Sequence, residues 1–232
     1  MLQNQNVSAA NLRFGGFAGI LAFLFLPGVA LQMDTGWFPE EALASGTMGQ
    51  WVDMIASNPY LSLLGVGFSI ISILCFFPFV LTFYRLLPRE HWQTSAGLAA
   101  YFGGIPLALV AFTIGYGFTW AIIDLYNSTG QETELGNIAA MGMRGYLFCD
   151  DLATSLIGAG HAFFAWVALK HRILPKWLCW EGIIGGILVS LVLFRYFIPI
   201  FAIASVGYPL IILFITITGI LFLRKAAQIP KT

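Results

Sequence analysis

Asp150, Asp151 and His161 stand in a run that is otherwise apolar enough for lipid, residues 144–172, RGYLFCDDLATSLIGAGHAFFAWVALKHR. Carboxylates and an imidazole are the groups of proton transfer, metal ligation and acid–base catalysis, so their spacing has to decide what they can do. On a helix, neighbouring residues point about 100° apart, so Asp150 and Asp151 do not form a facing carboxylate pair. His161 lies about 15 Å further along the axis, too far to share one metal ion with them unless another helix intervenes. Neither H-E-x-x-H nor Glu-x-x-His occurs, which leaves a zinc or di-metal bundle site without its usual ligand spacing. His161 keeps three readings: a neutral imidazole hydrogen-bonded in the interior, a group that handles substrate or protons, and an axial ligand to a haem or chlorophyll-type ring admitted by the small residues of GAGHA. His91 and His171 fall in inner loops, so a bis-histidine haem within this chain is not expected.

Taking Asp150 as zero on the helical wheel, Thr154 and His161 fall within about 40° of it, Asp151 and Arg144 near 100–120°, and Ser155 near 140°. The polar groups therefore share one sector, which must face protein or a wet cavity because charge in hydrocarbon is costly. Arg195 is the natural partner of the acids. It ends the next apolar run about 27 Å from that run's start, at the depth of Asp150 and Asp151 on an antiparallel neighbour. Asp150, Asp151, Thr154, His161, Arg195 and Arg144 are thus the candidate ligand-binding set, either as an ion pair that pins two helices or as a site for a polar head group.

The elements that hold these groups follow from composition. Of 232 residues 59% are hydrophobic and 9% charged, against about 25% charged in a soluble domain. With 11 basic and 11 acidic residues the net charge is zero, which excludes a strongly basic nucleic-acid binder. Six runs reach the roughly 20 apolar residues a crossing needs: 13–33, 59–84, 97–124, 151–170, 177–195 and 198–223. Nine of the eleven Lys and Arg flank these runs on one side, at Arg13, Arg85, Arg89, Lys170, Arg172, Lys176, Arg224, Lys225 and Lys231. The 34–58 and 125–140 connections hold none but carry Asp34, Glu40, Glu41, Asp53, Glu132 and Glu134. By the positive-inside rule both termini are cytoplasmic and the acidic loops face out. Trp37, Trp51 and Trp120 fall at the outer boundary and Trp92, Trp166, Trp177 and Trp180 at the inner one, as interfacial anchors do.

Met48, Trp51, Val52 and Ile55 follow the i, i+3, i+4, i+7 spacing, which predicts a short amphipathic helix on the outer surface, stopped at Asn58-Pro59. Pro27-Gly28 and Pro78 predict kinks in the first two crossings. Gly15 and Gly19, like Gly182 and Gly186, are four apart and predict close internal helix packing. Glu181, near Lys170 and Lys176, predicts an interfacial ion pair. Cys75, Cys149 and Cys179 have no disulfide or zinc spacing. No internal repeat is evident, which argues against an inverted-repeat transporter. The fold expected is therefore all-α: one domain over 1–232, a polytopic bundle of six transmembrane helices with a short amphipathic outer helix between the first two.

The run DDLATSLIGAGHAFFAWVAL, followed by KHRILPKWLCWEGIIGGIL, resembles the domain-of-unknown-function 4386 family, bacterial six-helix membrane proteins of about this length. The similar features are an acid opening the fourth helix (Asp150 or Asp151), a basic-Leu-Pro-basic turn (Arg172, Leu174, Pro175, Lys176), a Gly-rich fifth helix and an amphipathic segment after the first. The resemblance implies a bacterial inner membrane and the fold, and no activity. Two functions are open. The leading one is a non-catalytic membrane protein that binds an apolar or amphipathic small molecule or lipid in the outer half of the bundle, or serves as a subunit of a membrane complex or homo-oligomer. The other is an intramembrane enzyme or small transporter using Asp150, Asp151, His161 and Arg195, with a haem or chlorophyll-type ring at His161 as a variant.

Overall fold

A computed structural model of the chain describes residues 7–129 and 132–229; Lys231 and the side chain of Glu132 lie outside the described residues. The first crossing is α1 (Ala9–Leu21), a 3-10 stretch (Ala22–Leu24) and α2 (Phe25–Asp34). Two short helices follow, α3 (Glu40–Ser45) and α4 (Met48–Ser57), then α5 (Pro59–Leu86), α6 (Trp92–Thr129), α7 (Glu132–Lys170) and α8 (Lys176–Ser190). Two 3-10 stretches, Val192–Tyr196 and Pro199–Val206, lead into α9 (Gly207–Gln228). Among the described residues six helical spans are long and apolar enough to cross a membrane, and the chain is a multi-pass membrane protein.

The six spans stand in a closed ring in chain order. Each packs on the next, and the last, α9, returns to α1. Lipid gives helices no apolar reason to associate, so close backbone approach supplies the contact. A Cβ on Gly219 would stand 2.7 Å from the carbonyl oxygen of Gly16, and one on Gly158 would stand 2.7 Å from that of Gly186. Gly16, one residue from the expected Gly15, makes the α1–α9 seam with Gly19, while Gly15 faces Thr82 of α5.

Three boundaries differ from the sequence reading. The segment 125–140, expected as an outer loop, is almost entirely helical: α6 runs to Thr129 and α7 begins at Glu132. Polar residues there break the apolar run but not the backbone, because two antiparallel helices can outlast the membrane by packing on each other. The first crossing breaks at Ala22–Leu24, one turn ahead of Pro27, because proline lacks an N–H for Phe23 and its ring crowds that carbonyl. The sixth crossing starts as a 3-10 stretch, with α geometry only from Gly207. α5, in contrast, continues through Pro78.

Segment 35–58 forms a cap over one end of the ring. α4 buries Met48, Trp51, Val52 and Ile55, the four residues its periodicity selects, against α6 and α7. Trp51 donates its Nε1–H to the Gly36 carbonyl at 2.9 Å, and Tyr126 of α6 donates its hydroxyl to Asp53 at 2.7 Å. Trp37 and Trp51 are thus interior to the cap rather than interfacial anchors, whereas Trp92, Trp166, Trp177 and Trp180 at the opposite end are exposed. Glu181 makes no ion pair among the described residues, and its Oε2 is buried without a hydrogen-bond partner. The expected pairing with Lys170 or Lys176 is absent, since Glu181 lies one turn deeper than those two flexible side chains.

At the end opposite the cap, where α1 begins and α9 ends, His91 and His171 join the α5–α6 and α7–α8 connections, Nε2 to Nε2 at 2.8 Å. One ring must donate and the other accept, so the link requires at least one neutral imidazole. Burial first, then His91 and Lys170, push the His171 pKa down from 6.5, against a smaller opposing effect of Glu90. A depressed histidine contributes stability above the unfolded value of about 6.5 and loses it as pH falls through the lower folded value. Wild-type thermal stability should therefore drop between about pH 7 and pH 5, and His171→Gln should remove part of that drop. An identical pH dependence in the variant would show that the link contributes nothing.

Candidate functional site

The cap and the ring enclose a chamber of about 490 Å³ to which all six spans contribute. Deeper in the ring than the chamber's lining residues lies an aromatic cluster. Phe83 stands 5.5 Å from Phe164 and 5.9 Å from Phe214, and Phe79 stacks on Phe222 at 5.8 Å. The chamber's middle walls are apolar, with Ile73, Phe76, Ala108, Ile157, Val189 and Ile211. Charge collects at the cap end, where Glu40 from the cap joins Asp150, Asp151 and Arg195. The space is therefore amphipathic along its length, and its volume falls within the roughly 300–1,000 Å³ typical of small-molecule sites.

Arg195 organises the charged end. Its Nε donates to Asp151 Oδ2 at 2.7 Å, and Nη2 lies 3.6 Å from Glu40 Oε1. Asp151 is 2% exposed, so this contact neutralises a carboxylate that water scarcely reaches. The 3-10 stretch Val192–Tyr196 carries the guanidinium there. It is fixed to α7 by the Leu193 N–H donating to Ser155 Oγ at 3.3 Å. Asp150, one residue earlier on α7, also lines the chamber but makes no hydrogen bond or ion pair among the described residues. Thr154 is buried one turn below, close enough to Tyr208 of α9 for the two hydroxyls to interact.

His161 lies outside the chamber wall, against the aromatic cluster, and is 1% exposed. Its Nδ1 meets the Tyr101 hydroxyl at 2.6 Å, and Phe214 stands nearly perpendicular to its ring at 4.5 Å. Nε2 has no hydrogen-bond partner among the described residues. With Tyr101 on one nitrogen and Phe214 across the ring, the imidazole is enclosed by side chains.

Arg144 departs from the sequence reading. It is exposed, off the chamber wall. Its wheel angle sits at the edge of the polar sector, and it lies about 10 Å beyond Asp151 along the axis, where α7 has already passed the charged end of the chamber. The structure thus brings Asp150, Asp151, Thr154 and Arg195 together and leaves His161 and Arg144 apart from them. Among the described residues, no three His, Cys, Asp or Glu side chains gather closely enough to hold a metal ion.

Sequence reasoning missed Glu40, Gln32 and Tyr208. Glu40 carried a signal only for topology, as one of several loop acids. Gln32 was the more legible, being an amide near the end of an apolar run. It donates its Nε2–H to Ser69 Oγ at 2.8 Å, and Ser69 in turn donates to the Gly65 carbonyl at 3.3 Å. That order fixes the amide orientation and leaves Gln32 Oε1 as a buried acceptor without a donor, on a residue of the chamber wall.

A family model described as a domain of unknown function, DUF4386, matches residues 7–223. No curated protein matches the chain, and neither does any solved structure.

Proposed function

The chain belongs to the DUF4386 family, and we propose that this member is a non-catalytic membrane protein that holds an apolar or amphipathic small molecule in the chamber beneath its cap. The observation that carries this reading is the division of one 490 Å³ space into apolar walls and a charged end. Pockets that bind small molecules are mostly apolar, with a few convergent polar groups that fix orientation. No nucleophile paired with a base lines this space, so binding accounts for it with fewer assumptions than catalysis.

Mass spectrometry of protein purified in detergent tests the reading. A molecule should co-purify with the wild type in a fixed ratio, and it should be lost from Ala108→Phe, which fills the middle of the chamber from a buried wall position. Wild-type protein that carries nothing and takes up no added amphiphile would sink the proposal. A visible absorption band in the purified protein would instead identify a pigment.

The orientation belongs to the same reading. Basic residues crowd the end with the termini, and acids crowd the cap, so the cap faces outward and the termini are cytoplasmic. In a variant lacking Cys75, Cys149 and Cys179, an impermeant thiol reagent added to intact cells should label Ser45→Cys in the cap and not Glu90→Cys at the other end; both positions are exposed. Labelling of Glu90→Cys alone would reverse the orientation.

A further inference from the structure

We propose that the chamber takes an amphiphile with a protonated amine head and a single apolar tail, and that this molecule enters sideways from the bilayer between α2 and the start of α9. The inference rests on the chamber being a binding site and assigns the class of its ligand and its entrance.

The head group follows from the charges. Three carboxylates, Glu40, Asp150 and Asp151, meet one guanidinium at the charged end. Arg195 is directed to Asp151 and Glu40, and among the described residues Asp150 makes no hydrogen bond or ion pair of its own in a largely apolar space. A counter-charge keeps a carboxylate ionised there, and an anionic head would be repelled by three acids. A protonated amine supplies both the charge and three N–H donors. Asp150 accepts one of them, and the hydroxyl oxygens of Thr154 and Tyr208 are acceptors in the same wall. Gln32 Oε1, the buried acceptor without a donor, again marks this wall as short of donors. The aromatic rings of Phe25, Phe112 and Tyr208 line the same chamber. Beyond the charged end, the apolar walls accept a hydrocarbon tail.

The entrance follows from the break in the first crossing. Below it, α1 packs on α9 through Gly16 and Gly19 against Gly219. Above it, α2 turns toward α5 and barely touches α9. The described contact across the gap is Phe25 stacked on Tyr208, ring centres 6.1 Å apart. Met33, Ser205 and Pro209 line the chamber yet are exposed on the flank of the bundle, so the chamber's mouth lies at that flank. Next to it, Phe197, Ile200 and Ile203 are 79%, 67% and 65% exposed. Such a surface suits lipid and not water, so the mouth opens to the bilayer.

The experiment uses full-length protein in phosphatidylcholine nanodiscs doped in turn with hexadecylamine, hexadecanol or palmitate, with bound adducts counted by native mass spectrometry. Hexadecylamine should bind about tenfold better than hexadecanol, and palmitate least. Asp150→Asn should bring hexadecylamine down to the level of hexadecanol, with Asp151 still paired to Arg195. Val29→Trp, which narrows the mouth from α2, should slow the appearance of the amine adduct about tenfold. Equal binding of amine and alcohol, or preference for palmitate, overturns the head group and leaves the chamber reading standing. An unchanged rate in Val29→Trp overturns the sideways entrance. No adduct with any of the three overturns both this inference and the binding function. Should Asp150→Asn fail to accumulate, the wild-type order of the three head groups decides alone.

Discussion

Arg195→Gln should destabilise the protein by about 3–5 kcal/mol, because it leaves a buried carboxylate without its partner. The cost comes from Asp151, which is 2% exposed and receives the Arg195 Nε–H at 2.7 Å. Neither lipid nor the apolar chamber offers water in exchange. The double variant Asp151→Asn with Arg195→Gln should lose less than the sum of the two single variants, since both members of the buried pair are then gone. Glu40→Gln removes only the longer, more exposed contact at 3.6 Å and should stay within about 1 kcal/mol of wild type. Reversible unfolding in bicelles measures all four. A single Arg195→Gln within about 1 kcal/mol of wild type would show that Asp151 finds its compensation elsewhere.

Gly186→Leu should cost more than about 3 kcal/mol, or prevent accumulation of the protein altogether. A Cβ at that position would stand 2.6 Å from the Ala162 amide nitrogen and 2.7 Å from the Gly158 carbonyl oxygen. Both are backbone atoms of α7, so no rotamer change relieves the clash and the two helices must separate. Their separation would also pull Arg195, at the end of the α8 span, away from Asp151. Gly117→Leu is the matched control, since nothing lies within 4 Å of a Cβ there. It should be neutral or gain up to about 1 kcal/mol from helix propensity. Equal losses in the two variants would show that the contact of Gly186 with α7 is not what makes its substitution costly.

The sequence reading located all six spans and the buried face of α4, because hydrophobic length and 3.6-residue periodicity are local properties. The contact of Arg195 with Asp151 was also legible, since an antiparallel neighbour of known length fixes depth. What escaped was non-local or polar. The helical ends of α6 and α7 lack apolar length, so they read as loop, although each packs on the other. Glu40 reaches the chamber only because the cap folds back over the ring, and no feature of residues 35–47 announces that fold. Arg144 was assigned to one polar sector with Asp150 because a wheel gives direction and not depth, whereas the separation of His161 from the acids along the axis was read from the helical rise. Along α7 the chamber occupies only the turns near Asp150, Asp151, Thr154 and Ile157, with His161 a turn below against the aromatic cluster.

The ring of helices in chain order implies a sequence of events during synthesis. Each span entering the bilayer finds its neighbour already present, so contacts form between consecutive segments and loop-closure cost stays low. The exception is the seam between α1 and α9, whose partners are the first and the sixth of these spans in chain order. A chain halted before Gly207 is a five-membered arc. Gly16 and Gly19 then offer bare backbone to lipid, and the chamber lacks its sixth wall. The acid precedes its partner as well, since α7 brings in Asp151 while Arg195 follows only after α8. Until it arrives, the unfinished protein carries a carboxylate in a setting that penalises charge. Forms halted before the sixth span should therefore be the ones that cellular proteolysis removes, and the closed seam completes the six-membered ring.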